Sequence, residues 1–245
     1  MGTNSNSFIR FEREGQVGLL LIDRSAKANA YTDAMVRTAD GILDRILADA
    51  TVRSLVITSA ADGWFSAGAD LGEIRSRSEE DGFTIPSLAL FDRIEGLPIP
   101  VIAAINGPAV AGGLELALAC DVRIASPGAR FALPETRLGI LPAAGATWRL
   151  PRAVGQPLAR QIILFGRELS GEEAVQAGLA DFLVPDDELL EEARAWALLA
   201  AARDPLATRL AKEALARAHG STTGREFVEE CQAQLYSRQN KRGSQ

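Results

Sequence analysis

Apolar positions along this chain follow two periods in turn. Residues 7–12 (SFIRFE) and 16–22 (QVGLLLI) are short strand-like runs around a Gly-containing turn, and they predict a hairpin. Met35, Val36, Ala39, Ile42, Leu43, Ile46 and Leu47 then recur at helical spacing over 33–50, with Thr32 as N-cap. Residues 53–59 form a strand-like run, and a loop leads from it to a short helix near 70–76. The polar stretch 76–87 separates that helix from one ending near residue 95. A strand at 100–105, the loop NGPAVAGG, a helix at 112–119 and a strand at 121–125 follow without a break.

The second half continues the alternation and then abandons it. Residues 145–165 predict two short helices around Pro151 and Gly155. Ser170 and Glu173 have the spacing of a capping box, and DFLV at 181–184 is strand-like. Beyond it every pattern is helical: 186–202, then 205–218 opened by Asp204 and Pro205, then 223–238. The expected organisation is α/β, with an alternating body over 1–190 and a helical region over 191–245.

Composition narrows the function class. The chain has 245 residues, enough for one large domain or two small ones, and its net charge of -6 with no basic block argues against nucleic-acid binding. Residues 97–120 carry a single charge, Glu115, but Pro98, Pro100, Asn106, Gly107 and Pro108 divide the stretch into strand, turn and helix rather than a membrane span. MGTNSNSFIR lacks the apolar run of a signal peptide, and Asn6 stands where an acylation signal has a small hydroxyl residue. Cys120 and Cys231 match no metal spacing and fit a reducing compartment. A cytoplasmic protein without membrane association is expected. The one histidine, His219, ends a helical pattern before Gly220, which leaves no Ser-His-Asp triad and no common His-based metal site.

Two glutamates interrupt apolar surroundings: Glu115 in AVAGGLELALAC and Glu135 in ARFALPETRLGILP. A buried carboxylate is unfavourable unless paired, hydrogen-bonded or neutral, and two of them can divide acid and base roles. The bland alternatives are a Glu115 ion pair with Arg123 or Arg149 and an exposed Glu135. Two small-residue loops precede them, Phe65–Asp70 and Gly107–Gly113, each after a strand and opening a helix. Their free N–H groups could together grip an oxygen that gains negative charge, or the loops could be plain turns. Asp70 is an N-cap on either reading. Phosphate binding of the P-loop type fails because Gly113 stands where lysine is needed, and no G-x-G-x-x-G occurs.

FSAGADL (65–71), INGPAVAGGLELALACDVRIAS (105–126) and FALPETRLGILPAAGATWRLPR (131–152) resemble the enoyl-CoA hydratase/isomerase, or crotonase, superfamily. RSAKANAYT (24–32) and SGEEAVQAGLAD (170–181) extend the resemblance over nearly the whole chain. It implies a crotonase-like spiral of strand-strand-helix units with a C-terminal helical trimerisation region, assembled as a homotrimer or dimer of trimers. It further implies an acyl-CoA thioester substrate and no cofactor beyond the coenzyme A of the substrate itself. The matching oxyanion donors are the N–H groups of Ala69 and Gly112, and the matching catalytic carboxylates are Glu115 and Glu135. The matching CoA-binding positions are Lys27, Ala28, Ala30, Ala67, Ala69, Asp70 and Leu71. The implied activity is reversible addition of water to a trans-2-enoyl-CoA, with a double-bond isomerase or a non-catalytic acyl-CoA-binding scaffold as alternatives. One departure stands at Ala143 and Ala144, where the family often has glycine after Pro142. An Ala143 N–H that holds the water requires backbone angles with negative φ.

Overall fold

The computed structural model describes residues 8–78 and 80–217. The expectations for His219, Cys231, the 223–238 helix and the first seven residues lie outside the described residues.

The hairpin forms as β1 (Ile9–Glu14) and β2 (Val17–Ile22), paired antiparallel. β2 then pairs parallel with β3 (Ser54–Ser59), β3 with β4 (Val101–Ile105), β4 with β6 (Val122–Ala125), and β6 with β9 (Phe182–Leu183). The six-stranded order is therefore β1-β2-β3-β4-β6-β9. β2, β3 and β4 are buried along their whole length, as parallel strands covered on both faces must be.

Alternate side chains serve the two faces. Leu20, Leu55, Ile57, Ala103 and Ile105 enter the main core with α1 (Asp33–Ala48) and α3 (Pro86–Glu95). Leu19, Leu21, Val56, Ile102 and Ile124 point the other way, where α7 (Leu189–Ala201) lays Leu189, Ala193 and Ala197 over them. Each fully buried leucine or isoleucine here is worth about 1.5–3 kcal/mol. Small residues on α7 let that helix come close to the sheet. α8 (Pro205–Arg217) follows, and Asp204 caps it by accepting from the N–H groups of Leu206 and Ala207, both at 3.0 Å.

A second, three-stranded sheet has the order β5-β7-β8: Ala109–Val110, Arg130–Ala132 and Leu169–Ser170. Sequence periodicity did not reveal it, because strands of two or three residues carry no measurable period. Single parallel bridges, Tyr31 to Ala69 and Ser66 to Ala109, carry its layer back toward the start of the chain. The chain thus visits the large sheet, then the small layer, then a helix. Strand β4 is followed by β5 and α4 (Gly112–Leu118), and β6 by β7 and then α5 (Ala146–Phe165). α5 breaks at Gly155, where φ 75° and ψ 159° leave the helix, matching the two short helices expected there. The capping box at Ser170 and Glu173 opens α6 (Gly171–Gln176).

The 97–120 stretch divides into β4, β5 and α4. Among the described residues no helix is long and apolar enough to cross a membrane.

Candidate active site

Asp70 and Thr32 show how local chemistry starts the elements that frame the site. Thr32 accepts from the Met35 N–H at the start of α1. Asp70 caps α2 (Leu71–Ser76) by accepting from the Gly72 N–H at 2.8 Å. Its other oxygen accepts from Arg24 at 2.8 Å, and that bond and the cap hold the carboxyl below its ordinary range. Arg24 also donates to the Ala30 carbonyl, so one guanidinium ties the early loop to the start of α2.

The two glycine-rich loops meet. The Ala67 N–H donates to the Ala28 carbonyl, the Tyr31 N–H to the Gly68 carbonyl, and the Asp70 N–H to the Tyr31 carbonyl. These bonds flank Ala69 and leave its own N–H without an acceptor among the described residues. The second loop runs alongside, with the Val110 N–H donating to the Ser66 carbonyl. A Cβ on Gly68 would lie 2.7 Å from the Gly112 nitrogen, and Gly68 has φ 88°. Only glycine fits there, by both contact and conformation. Ala111 has φ 53° and ψ -128°, a strained angle pair for alanine, at the N-cap of α4. The Gly112 N–H that follows also has no acceptor among the described residues. Two free donors, from Ala69 and Gly112, therefore sit on adjoining loops at one cavity wall.

Glu115 lies on α4, 3% exposed, and forms no ion pair with Arg123 or Arg149. Instead its Oε1 accepts two backbone N–H bonds, from Ala144 at 2.8 Å and Ala146 at 3.0 Å. Burial raises its pKa, and those two amides, with Arg149 nearby, oppose the rise. Arg149 supports the turn from behind. It donates to the Ala144 carbonyl at 3.0 Å, to Glu95 at 2.7 and 3.0 Å, and to Asp92 at 2.6 Å. Gly145 adopts φ 121°, and any Cβ there would strike the Arg149 guanidinium. The Ala143–Ala144 departure is accommodated, since the positive φ of this turn belongs to Gly145 and neither alanine has one.

Glu135 opens a 3-10 turn over Glu135–Leu138 and is 6% exposed, not the surface residue of the bland alternative. Its Oε2 is buried without a hydrogen-bond partner. Burial, reinforced by the Glu115 charge, raises its pKa to about 7.

Both carboxylates and both donor loops line one cavity of about 1100 Å³. Lys27, Ala30, Ala67, Asp70, Leu71 and Ala143 line it too. Ala28 does not; its left-handed backbone (φ 52°) serves through the carbonyl that anchors Ala67. Tyr31 and Ser87 on the wall, and Ala146 behind it, are additions to the residues the sequence pointed to. The signal for Tyr31 was legible as an aromatic hydroxyl among small residues in KANAYT. Arg149 was legible as a candidate partner of Glu115 by charge, although it serves the turn and not the carboxylate.

Comparison with known proteins agrees over most of the chain. The family model described as enoyl-CoA hydratase/isomerase matches residues 12–245. The short-chain-enoyl-CoA hydratase of Clostridium acetobutylicum is 38% identical over 208 residues, covering 84% of this chain and 80% of that protein. The 2,3-dehydroadipyl-CoA hydratase of Escherichia coli is 40% identical over 203 residues, covering 83% and 79%. The crystal structure of an enoyl-CoA hydratase from Bacillus anthracis superimposes with a TM-score of 0.88 at 38% identity, covering 92% of this chain and 90% of that one. With the spiral of paired sheets already described, these matches establish that the chain belongs to the enoyl-CoA hydratase/isomerase family and has the crotonase fold.

Proposed function

We propose that this protein is a hydro-lyase that adds water reversibly to a trans-2-enoyl-CoA thioester. The observation that carries the reading is the asymmetry of the two carboxylates. Glu115 accepts two amide hydrogen bonds, which favour its anion, whereas Glu135 has a partnerless buried oxygen and a pKa near 7. One group is suited to take a proton from water and the other to supply one.

The step balances as follows. The thioester oxygen accepts from the Ala69 and Gly112 N–H groups. Water adds to the β-carbon while Glu115 takes a proton from it. The electron pair of the double bond moves toward the carbonyl, and the two N–H donors stabilise the enolate-like charge. Each such donor is worth about 3–4 kcal/mol of barrier. Glu135 then protonates the α-carbon. A proton passing from Glu115 to Glu135 through solvent resets the site. Every proton is handled by these side chains or water. Lys27, Ala30, Ala67, Asp70 and Leu71, which line the same cavity, are the residues proposed to hold the CoA portion.

Loss of enone absorbance from a short trans-2-enoyl-CoA tests the proposal, with incorporation of 18-oxygen from labelled water. Conversion of a 3-enoyl-CoA without 18-oxygen uptake supports the isomerase alternative. Acyl-CoA binding with no turnover of any enoyl- or hydroxyacyl-CoA supports the scaffold. Relatives named for a short-chain enoyl-CoA and for 2,3-dehydroadipyl-CoA are similarly close, so identity alone selects no acyl group. The proposed assembly is a homotrimer or dimer of trimers, supported by exposed Leu164, Phe165, Leu198 and Leu199. Light scattering on the purified protein measures it.

A further inference from the structure

We infer that the phenol of Tyr31, with the Ser87 hydroxyl, recognises an oxygen on the acyl chain, so that the preferred substrate is a short enoyl-CoA whose acyl tail carries a hydroxyl or carboxylate. This deepens the hydratase reading and rests on it.

The position of the phenol follows from three observations. A Cβ built on Gly112 would lie 2.0 Å from the Tyr31 hydroxyl oxygen, so the phenol occupies the space over that glycine, beside one oxyanion donor. It lines the same cavity as Glu115 and Glu135, and both carboxylates act electrostatically on it. Ser87, its hydrogen-bond partner, comes from α3 and lines the same cavity with Ile85. The ring is held edge-on to Phe91 at 5.9 Å, and its backbone is bridged to Ala69, so the hydroxyl is not free to swing away.

The polar inventory then favours an oxygen-bearing tail. Two hydroxyls bring two protons, and the bond between them uses one. The other proton has no acceptor among the described residues. A plain alkyl tail filling this end of the cavity would bury that donor unpaired. A tail oxygen would satisfy it. Sites built to hydrogen-bond a substrate oxygen reject the analogue lacking it far more strongly than apolar pockets reject an extra methylene. Arg77 lies on the same wall and also acts on the phenol, although Asp33 engages it at 2.9 Å. The two glutamates act on the phenol more strongly than that positive charge does, which makes a neutral hydroxyl the better of the two oxygens.

The test uses five-carbon thioesters: trans-2-pentenoyl-CoA, its 5-hydroxy derivative and glutaconyl-CoA. The wild-type protein should favour the two oxygenated substrates in kcat/KM by about tenfold or more, the 5-hydroxy derivative most. Tyr31→Phe keeps the ring on Phe91 and should bring that ratio close to one; Ser87→Ala should lower it less. A wild-type ratio at or below one, or a ratio that Tyr31→Phe leaves in place, overturns the inference while the hydratase reading stands. A uniform loss on all three substrates in Tyr31→Phe also overturns it, since it would mark the phenol as a third donor to the thioester oxygen. Failure of the wild type to hydrate any of the three sinks the hydratase reading itself. Calorimetric binding of the matching saturated acyl-CoAs reads the same preference without turnover.

Discussion

Glu115 and Glu135 line the same cavity, yet the chain surrounds them in opposite ways. Glu115 stands inside a regular helix and faces a turn whose two amides are aimed at one of its oxygens. Glu135 stands on an irregular 3-10 turn and leaves an oxygen buried with no partner. Desolvation raises both, but two amides from a facing turn oppose it at Glu115, whereas at Glu135 only the residue's own N–H does so. The difference shows that a carboxylate's role is set by the donors around it more than by its burial.

The sharpest way to break the comparison is to neutralise each partner. Glu115→Gln and Glu135→Gln should each lower kcat for enoyl-CoA hydration by about 10²–10⁴-fold, and the double variant should fall well short of the product because the two act on one step. The pH profile of kcat/KM separates them. Hydration needs Glu135 protonated, so the wild-type rate should fall as pH rises through about 7, the value burial imposes on that carboxyl. In the dehydration direction the same carboxyl must be anionic, and the limb should invert. Unimpaired turnover in both single variants would remove the carboxylates from the chemistry.

The donor wall that both glutamates serve is next in size. Gly68→Ala drives a methyl against the Gly112 nitrogen from a positive-φ position. It should lower kcat by about 10²–10³-fold, with far-UV circular dichroism unchanged. A fully active variant would show that the two N–H groups need not meet.

Stability offers a smaller and independent measure. A carboxyl held near 7 in the folded protein and near 4.5 when unfolded stabilises the fold in its neutral form below pH 4.5. That contribution is lost as pH rises through 7, because ionisation is easier in the unfolded chain. Glu135→Gln has no such loss, so its stability advantage over wild type should grow by on the order of 1–3 kcal/mol between pH 4 and pH 8. Chemical denaturation at the two pH values measures it, and an advantage independent of pH would contradict the raised pKa.

The smallest expected effect tests the support behind Glu115. Arg149→Lys keeps a charge near Asp92 and Glu95 but cannot reproduce the fork that also reaches the Ala144 carbonyl. We expect a loss of roughly tenfold in kcat, with a shifted acidic limb in the pH profile and little change in KM. A change confined to KM would show that the turn serves binding and not Glu115.

Much of this architecture is legible in the sequence, and the particular residues show why. Thr32, Asp70, Ser170 and Asp204 cap helices through bonds to N–H groups two or three residues on, and such local bonds leave local signatures. The alternating apolar runs give the large sheet. β5, β7 and β8 escape, because their pairing partners lie far along the chain and their lengths are too short for a period. The partners of Glu115 escape for a similar reason. Arg123 and Arg149 looked suitable by charge, whereas the actual partners are main-chain amides of alanines, which no side-chain inventory contains.

By itself the sequence determined the residue types: two carboxylates in apolar settings, two loops of small residues, the motifs of one family, and caps that start the helices. Those depend on local bonding and on which side chains avoid water. Tertiary structure alone decided which N–H groups remain free, which carboxylate receives the amides of the Ala144–Ala146 turn, and that a phenol stands over Gly112. These are distances between segments remote in sequence, and only packing of the two sheets and their helices brings such segments within hydrogen-bonding range.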